Sequence, residues 1–121
     1  MDAFEVDEVF ARLDTSDHDY AEFFRAASGK LSMTIAFWPA AGEDPQQPHT
    51  EDEVYYVASG RGRIRVAGQD RSVQPGSIVY VAAGVEHRFH SIEEDLKIVV
   101  FWSPARAPYT DRPEISGGPG A

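Results

Sequence analysis

Between Tyr20 and Trp102 the chain is a succession of short apolar or alternating runs, each closed by turn residues. That rhythm restricts the fold more than any other feature. The runs are Tyr20–Ala27, Leu31–Trp38, Val54–Ala58, Arg63–Val66, Gln69–Val73, Ile78–Val81, His87–Ser91 and Leu96–Trp102. Between them fall Ser28-Gly29-Lys30, Ala41-Gly42-Glu43-Asp44-Pro45, Ser59-Gly60-Arg61-Gly62, Ala67-Gly68, Pro75-Gly76 and Ala83-Gly84, the residue types that tight turns favour. Many short strands without intervening helices indicate an all-β sandwich or barrel. In the last run Leu96, Ile98, Val100 and Trp102 make one apolar face, while Lys97 begins the other.

The ends differ from this middle. Val6, Val9, Phe10 and Leu13 recur at helical spacing, which predicts a short amphipathic helix within an N-terminal segment 1–19. Asp14 to Asp19 is a polar break, and His18 within it reads as a surface residue. After Ser103-Pro104 the chain turns rich in Pro and Gly, so residues 105–121 are expected to be a loose tail beyond a barrel of residues 20–104. The start of the chain lacks the basic and apolar pattern of a signal peptide, and its longest apolar run, Ile78–Ala83, is too short for a bilayer. A cytoplasmic location is the resulting expectation. The absence of cysteine removes disulfides, thiolate metal sites and a Cys nucleophile together. A formal net charge of -9 repels phosphate backbones and anionic lipid, which leaves nucleic acid and membranes as poor partners.

Chemistry concentrates at His49, Glu51, Glu53 and His87. In an extended segment, positions 49, 51 and 53 share a face, because strand side chains alternate. His87 opens a later strand, and a barrel lets residues of separate strands converge on one interior point. Two neutral imidazoles and a carboxylate with open positions suit one divalent ion, Fe2+ first, with Zn2+, Mn2+ or Ni2+ as other candidates. The plain alternative for the same residues is a pair of hydrogen-bonded buried histidines and a rim carboxylate.

The wider pattern around these residues resembles the cupin family. Gln47-Pro-His49-Thr-Glu-Asp-Glu53-Val-Tyr-Tyr-Val-Ala-Ser-Gly60 is similar to the first cupin motif, in which His-x-His is followed by Glu and then Gly. Gly76, Gly84 and His87 fall in register with the second motif. The resemblance covers roughly Leu31 to Trp102 and implies a double-stranded β-helix (jelly-roll barrel), often dimeric, holding a metal near its axis. It implies His49, Glu53 and His87 as ligands. Where the family's first His falls, this chain has Gln47, whose amide oxygen is a weaker donor than imidazole. Ala82 stands where a Pro is usual, and Ser91 where an Asn is usual.

Glu51 and Asp52 read as a solvated turn, with Glu51 as a general base beside the metal the sharper alternative. Tyr55 is the other acid–base candidate. His90 has the opposite parity to His87 and is expected to face outward, as are Arg63 and Arg65. Phe37, Tyr55, Phe89 and Trp102 are expected in the packed barrel core, with the lining of a substrate cavity as the alternative. The edge-strand problem favours a homodimer through the strand around Phe23 and Phe24, whose rings are expected on opposite sides. Two functions follow from the resemblance: a metal-dependent enzyme (an Fe(II)-type dioxygenase or a Lewis-acid enzyme) acting on a small organic molecule, or a non-catalytic small-molecule-binding or sensing module.

Overall fold

A computed structural model of the protein describes residues 1–12, 20–44 and 48–107. One short helix, α1 (Val6–Ala11), precedes six strands: β1 (Tyr20–Arg25), β2 (Ser32–Trp38), β3 (Asp52–Val66), β4 (Gln69–Val73), β5 (Ile78–Val81) and β6 (His87–Ser103). Every pairing is antiparallel, in the order β1-β2-β6-β3-β4, with β5 also on β3. The all-β jelly-roll expectation therefore holds.

Two strands organise the whole sheet. β3 and β6 run against each other from Asp52↔Ser103 to Val66↔His87. The other edge of β3 carries β5 at Glu53–Tyr56 and β4 at Gly62–Val66. Each of these long strands merges two of the expected short ones. The segment Ser59–Gly62, expected to be a turn, is instead a bulged stretch of β3, with register shifts between Val57 and Arg63. Gly60 explains the misreading. Its φ is +94°, and a Cβ there would lie 2.1 Å from the Asp95 carbonyl oxygen. The glycine serves the close approach of a neighbouring backbone, which bulges exploit, rather than a chain reversal.

Alternation along the strands builds two cores. Leu96, Ile98, Val100 and Trp102 point into the barrel, where they are fully buried with Tyr55, Val57, Ile64 and Phe89. Trp102 Nε1 donates a 3.0 Å hydrogen bond to Thr34 Oγ1 on β2. On the outer face, Ile35 and Val99 pack under Val9 and Phe10 of α1, with Phe37 and Phe101 partly buried beside them. Phe37 thus lies outside the barrel, not in its interior. The helix ends earlier than its apolar spacing predicts, and Val6 is exposed. Leu13, the polar break and His18 lie outside the described residues.

Phe23 and Phe24 do not diverge as expected. A bulge between Glu22 and Phe24 brings both rings against Phe4, at centroid distances of 5.1 and 5.9 Å. Among the described residues no second strand pairs with the first part of β6, and the loop after β2 takes that place. Phe89 N–H donates to Asp44 Oδ2 at 2.9 Å, and Ala41 N–H donates to the Ile92 carbonyl at 2.9 Å. No helix among the described residues is long and apolar enough to cross a membrane.

Candidate metal centre

The interior point at which the sequence motifs converge lies inside the barrel between the start of β3 and the start of β6. Burial alternates from His49 to Glu53: residues 49, 51 and 53 are buried, and Thr50 and Asp52 are exposed. The alternation holds although the strand itself begins only at Asp52. Two bonds lock this entry segment onto the turn before β6. Gly84 N–H donates to the His49 carbonyl at 2.6 Å, and Ala83 N–H donates to Asp52 Oδ1 at 2.8 Å. They set the distance between His49 and His87.

The result is a tight cluster. One candidate ligand atom each from His49, Glu53 and His87 lies within 4.8 Å of the others. Glu53 Oε1 is 2.8 Å from His87 Nε2, 3.8 Å from His49 Nε2 and 3.0 Å from the Tyr55 hydroxyl that donates to it. His87 Nδ1 is 2.8 Å from the Val85 carbonyl, an acceptor only, so the Nδ1 proton points there and Nε2 faces the cluster. The rings of His49 and His87 lie 5.1 Å apart, and Trp102 meets His49 edge-on at 5.1 Å.

Burial pushes the Glu53 carboxyl up from its ordinary range, against the opposing pull of His87. For His87, burial acts downward but the contact with Glu53 wins, and its pKa is raised. The 2.8 Å contact couples the two groups, so they titrate as a pair.

Two observations test whether a divalent ion fits. Glu53 Oε2 is buried and has no hydrogen-bond partner among the described residues, an arrangement that is costly unless something else engages the oxygen. Charge gives the second. Among the described residues, the buried acidic and basic side chains other than histidine are Asp44, Glu51, Glu53 and Arg106. Three carboxylates against one guanidinium leave two negative charges when all are ionised and both imidazoles are neutral. A divalent cation cancels that excess, and buried charge is tolerated when it is balanced. The residues fit the group.

The other expected site residues fall in different positions. Gln47 lies outside the described residues. Tyr55 is fully buried, its ring 4.9 Å from Phe89 and its hydroxyl on Glu53. Glu51 is not in a solvated turn: it is 3 % exposed, and both its oxygens are engaged. Arg106 Nη1 donates to Oε1 at 3.0 Å, and Ala107 N–H to Oε2 at 3.1 Å. Asp52 alone is exposed, as expected. His90 faces outward as its parity predicts, onto Asp70, which also accepts from Arg63 and Arg65.

Arg106 and Asp44 escaped the sequence reading. Arg106 sits in the segment expected to be loose, yet it is 3 % exposed, with its guanidinium 4.9 Å from the centre of the Trp102 ring. Its charge also bears on Glu53. Nothing in the composition after Pro104 distinguishes it from a tail residue.

Comparison with known proteins agrees with this architecture. The model of the cupin domain family matches residues 33–103. An uncharacterized protein from Streptomyces coelicolor is 43% identical over 104 residues, covering 86% of this chain and 97% of that protein. The acireductone dioxygenase of Bacillus cereus is 25% identical over 100 residues, 78% of this chain but only 55% of that enzyme, so the chain spans about half its length. Among solved structures, a cupin 2 conserved barrel domain protein from Rhodopseudomonas palustris superposes with a TM-score of 0.65 at 16% identity, over 74% of this chain and 62% of that one. Both motifs, the barrel and a family match over more than half of the sequence agree, and the chain belongs to the cupin family.

Proposed function

We propose that this protein is a metal-dependent cupin enzyme acting on a small organic molecule, with Fe2+ as its metal. The observation that carries the reading is Glu53 Oε2, a buried acceptor without a donor among the described residues, beside two imidazoles. His49, Glu53 and His87 are the ligands in this reading, and Gln47 is the candidate for a fourth position. Zn2+, Mn2+ or Ni2+ would suit the same donors. Bound there, Fe2+ would supply dioxygen activation, or Lewis-acid polarisation of a carbonyl or enol oxygen, at positions that three protein ligands leave open. The distant similarity to an acireductone dioxygenase supports the oxygen-dependent version.

The chain's own residues divide the remaining work. Val85 holds the His87 ring in the tautomer that presents Nε2. The Tyr55 hydroxyl occupies Glu53 Oε1, which leaves Oε2 as the oxygen to engage a cation, and it is the nearest candidate to deliver or accept a proton. Trp102 and Phe89 keep water from the inner wall. Glu51 is a candidate base only when released from Arg106. The same reading includes a homodimer through the outer edge of β1 and a cytoplasmic location.

A second reading, binding or sensing without turnover, draws on the near-complete burial of the cluster: the side chains of His49, Glu53 and His87 are 3%, 0% and 1% exposed. Metal analysis of protein grown in metal-replete medium, followed by oxygen-uptake screening against catechols, β-diketones and small keto acids, separates the two. Iron together with uptake supports the dioxygenase; bound metal without turnover favours the second reading. Unchanged metal content in folded His49→Ala and His87→Ala proteins refutes the ligand assignment. Light scattering tests the dimer, which a monomer at micromolar concentration would overturn.

A further inference from the structure

Residues 104–107, which follow β6, stay on the barrel. Ala105 N–H donates to the Gly29 carbonyl at 3.0 Å, and Arg106 N–H to Ser32 Oγ at 2.8 Å. Arg25 donates to the Arg106 carbonyl. The segment is thus tied to the β1–β2 hairpin on one side, and through Glu51 to the approach to β3 on the other. The strap crosses the barrel beside the metal cluster: Arg106 lies over one side of the Trp102 ring, and His49 meets that ring edge-on.

Glu51 is the unusual member of this arrangement. It is a buried carboxylate placed in sequence between two candidate ligands, and it shares their burial pattern. A second carboxylate in a set of two imidazoles and Glu53 would bind a divalent ion more tightly and fill a position that substrate needs. Instead both its oxygens point to the strap.

We infer that the buried Glu51–Arg106 pair is a latch that pins residues 105–107 across the barrel and withholds Glu51 from the metal, so that a coordination position stays open. Arg106 is a positioning residue in this scheme, acting through Glu51. The withholding role rests on His49, Glu53 and His87 being ligands; the pinning role does not.

A double-mutant cycle in metal affinity separates the possibilities. Wild type, Arg106→Met, Glu51→Gln and the double variant are titrated with Co2+ against a chromophoric chelator. Methionine keeps an unbranched chain over Trp102, and the double variant leaves no unpaired buried charge. Removing the positive charge alone tightens binding equally in both backgrounds. Release of Glu51 adds tightening only where Glu51 is present. The expected outcome is a gain from Arg106→Met at least about ten-fold larger with Glu51 than in the Glu51→Gln background, with a matching change in the visible spectrum of bound Co2+. Equal gains in the two backgrounds, or weaker binding by Arg106→Met, overturn the withholding role. If His49→Ala and His87→Ala leave Co2+ affinity unchanged, the ligand reading fails instead.

Metal-free protein tests the pinning role. The Arg106–Ala107 bond is a trypsin site that burial protects. Glu51→Gln is expected to speed its cleavage about ten-fold or more, as local opening becomes easier. Cleavage at the wild-type rate would overturn the pinning.

Discussion

Replacing Gly60 by alanine tests whether the bulge in β3, rather than a turn, is the reason for glycine there. Two costs add. A φ of +94° is the left-handed side of conformational space, where an L side chain costs about 1–2 kcal/mol. The added Cβ would also stand 2.1 Å from the Asp95 carbonyl oxygen, 2.7 Å from its carbonyl carbon and 2.8 Å from Leu96 Cα. All three are backbone atoms of β6, so relief requires moving a strand. Overpacking of this kind costs about 1–3 kcal/mol, which brings the total to about 2–5 kcal/mol. Gly76 is the matched control. It has the same φ of +94° and no neighbour within 4 Å of a built Cβ, so Gly76→Ala carries the conformational cost alone, about 1–2 kcal/mol. With a urea m-value of about 2 kcal/mol per M for a chain of this size, the midpoint falls by about 1–2.5 M for Gly60→Ala and by about 0.5–1 M for Gly76→Ala. Equal midpoints for the two variants would show that β6 does not constrain Gly60 and that the bulge geometry is wrong.

Glu53→Gln should abolish stoichiometric metal binding while the metal-free protein keeps a cooperative melt, because the amide can still accept from Tyr55 and the lost charge had one unpartnered oxygen; mass spectrometry under native conditions and calorimetry check both halves. Thr34→Val leaves the buried Trp102 Nε1–H without its acceptor and should cost about 1–3 kcal/mol, read from urea unfolding. At Asp70, desolvation acts upward, but the hydrogen bonds from His90 and Arg65 prevail and its pKa is lowered. A depressed folded pKa gives stability that is present above the unfolded value and lost as pH falls through the folded one. Wild type should therefore lose its advantage over Asp70→Asn on acidification below about pH 4, and melting curves that keep a constant gap from pH 6 to 3 would contradict the assignment.

The parts of the fold that repeat every two residues were open to sequence reading. Alternation placed Leu96, Ile98, Val100 and Trp102 in the barrel, and it put 49, 51 and 53 on one face before any strand boundary was known. What alternation cannot encode is where a strand stops. Gly60 looks the same in a turn and in a bulge, so β3 read as two short strands, and the charged run Glu93-Glu94-Asp95 split β6 in the same way. Polarity misled at Glu51, since a carboxylate between Thr50 and Asp52 reads as solvated until its guanidinium partner is found 55 residues later. Arg106 itself follows a proline at the start of a Pro/Gly-rich stretch, and its burial depends on contacts with Ser32, Glu51 and Trp102 that no local pattern announces. Asp44 likewise owes its burial to an unpaired strand edge in another part of the chain.

The two-sided packing of β6 has a consequence for fidelity. Val99 and Phe101 serve the outer cluster while Ile98, Val100 and Trp102 serve the inner one, so this stretch is apolar on both faces. Hydrophobicity alone then penalises a one-residue slip of β6 against β2 only weakly, whereas a strand polar on one face would be pinned by it. The polar exceptions carry the discrimination. Lys97 must stay outside, over the Phe10 ring, and the Trp102 indole must find Thr34. A slipped alignment would bury an ammonium, orphan an indole N–H and remove from His49 the ring it packs against. Correct alignment of these two strands and correct assembly of the His49–Glu53–His87 cluster are thus a single event.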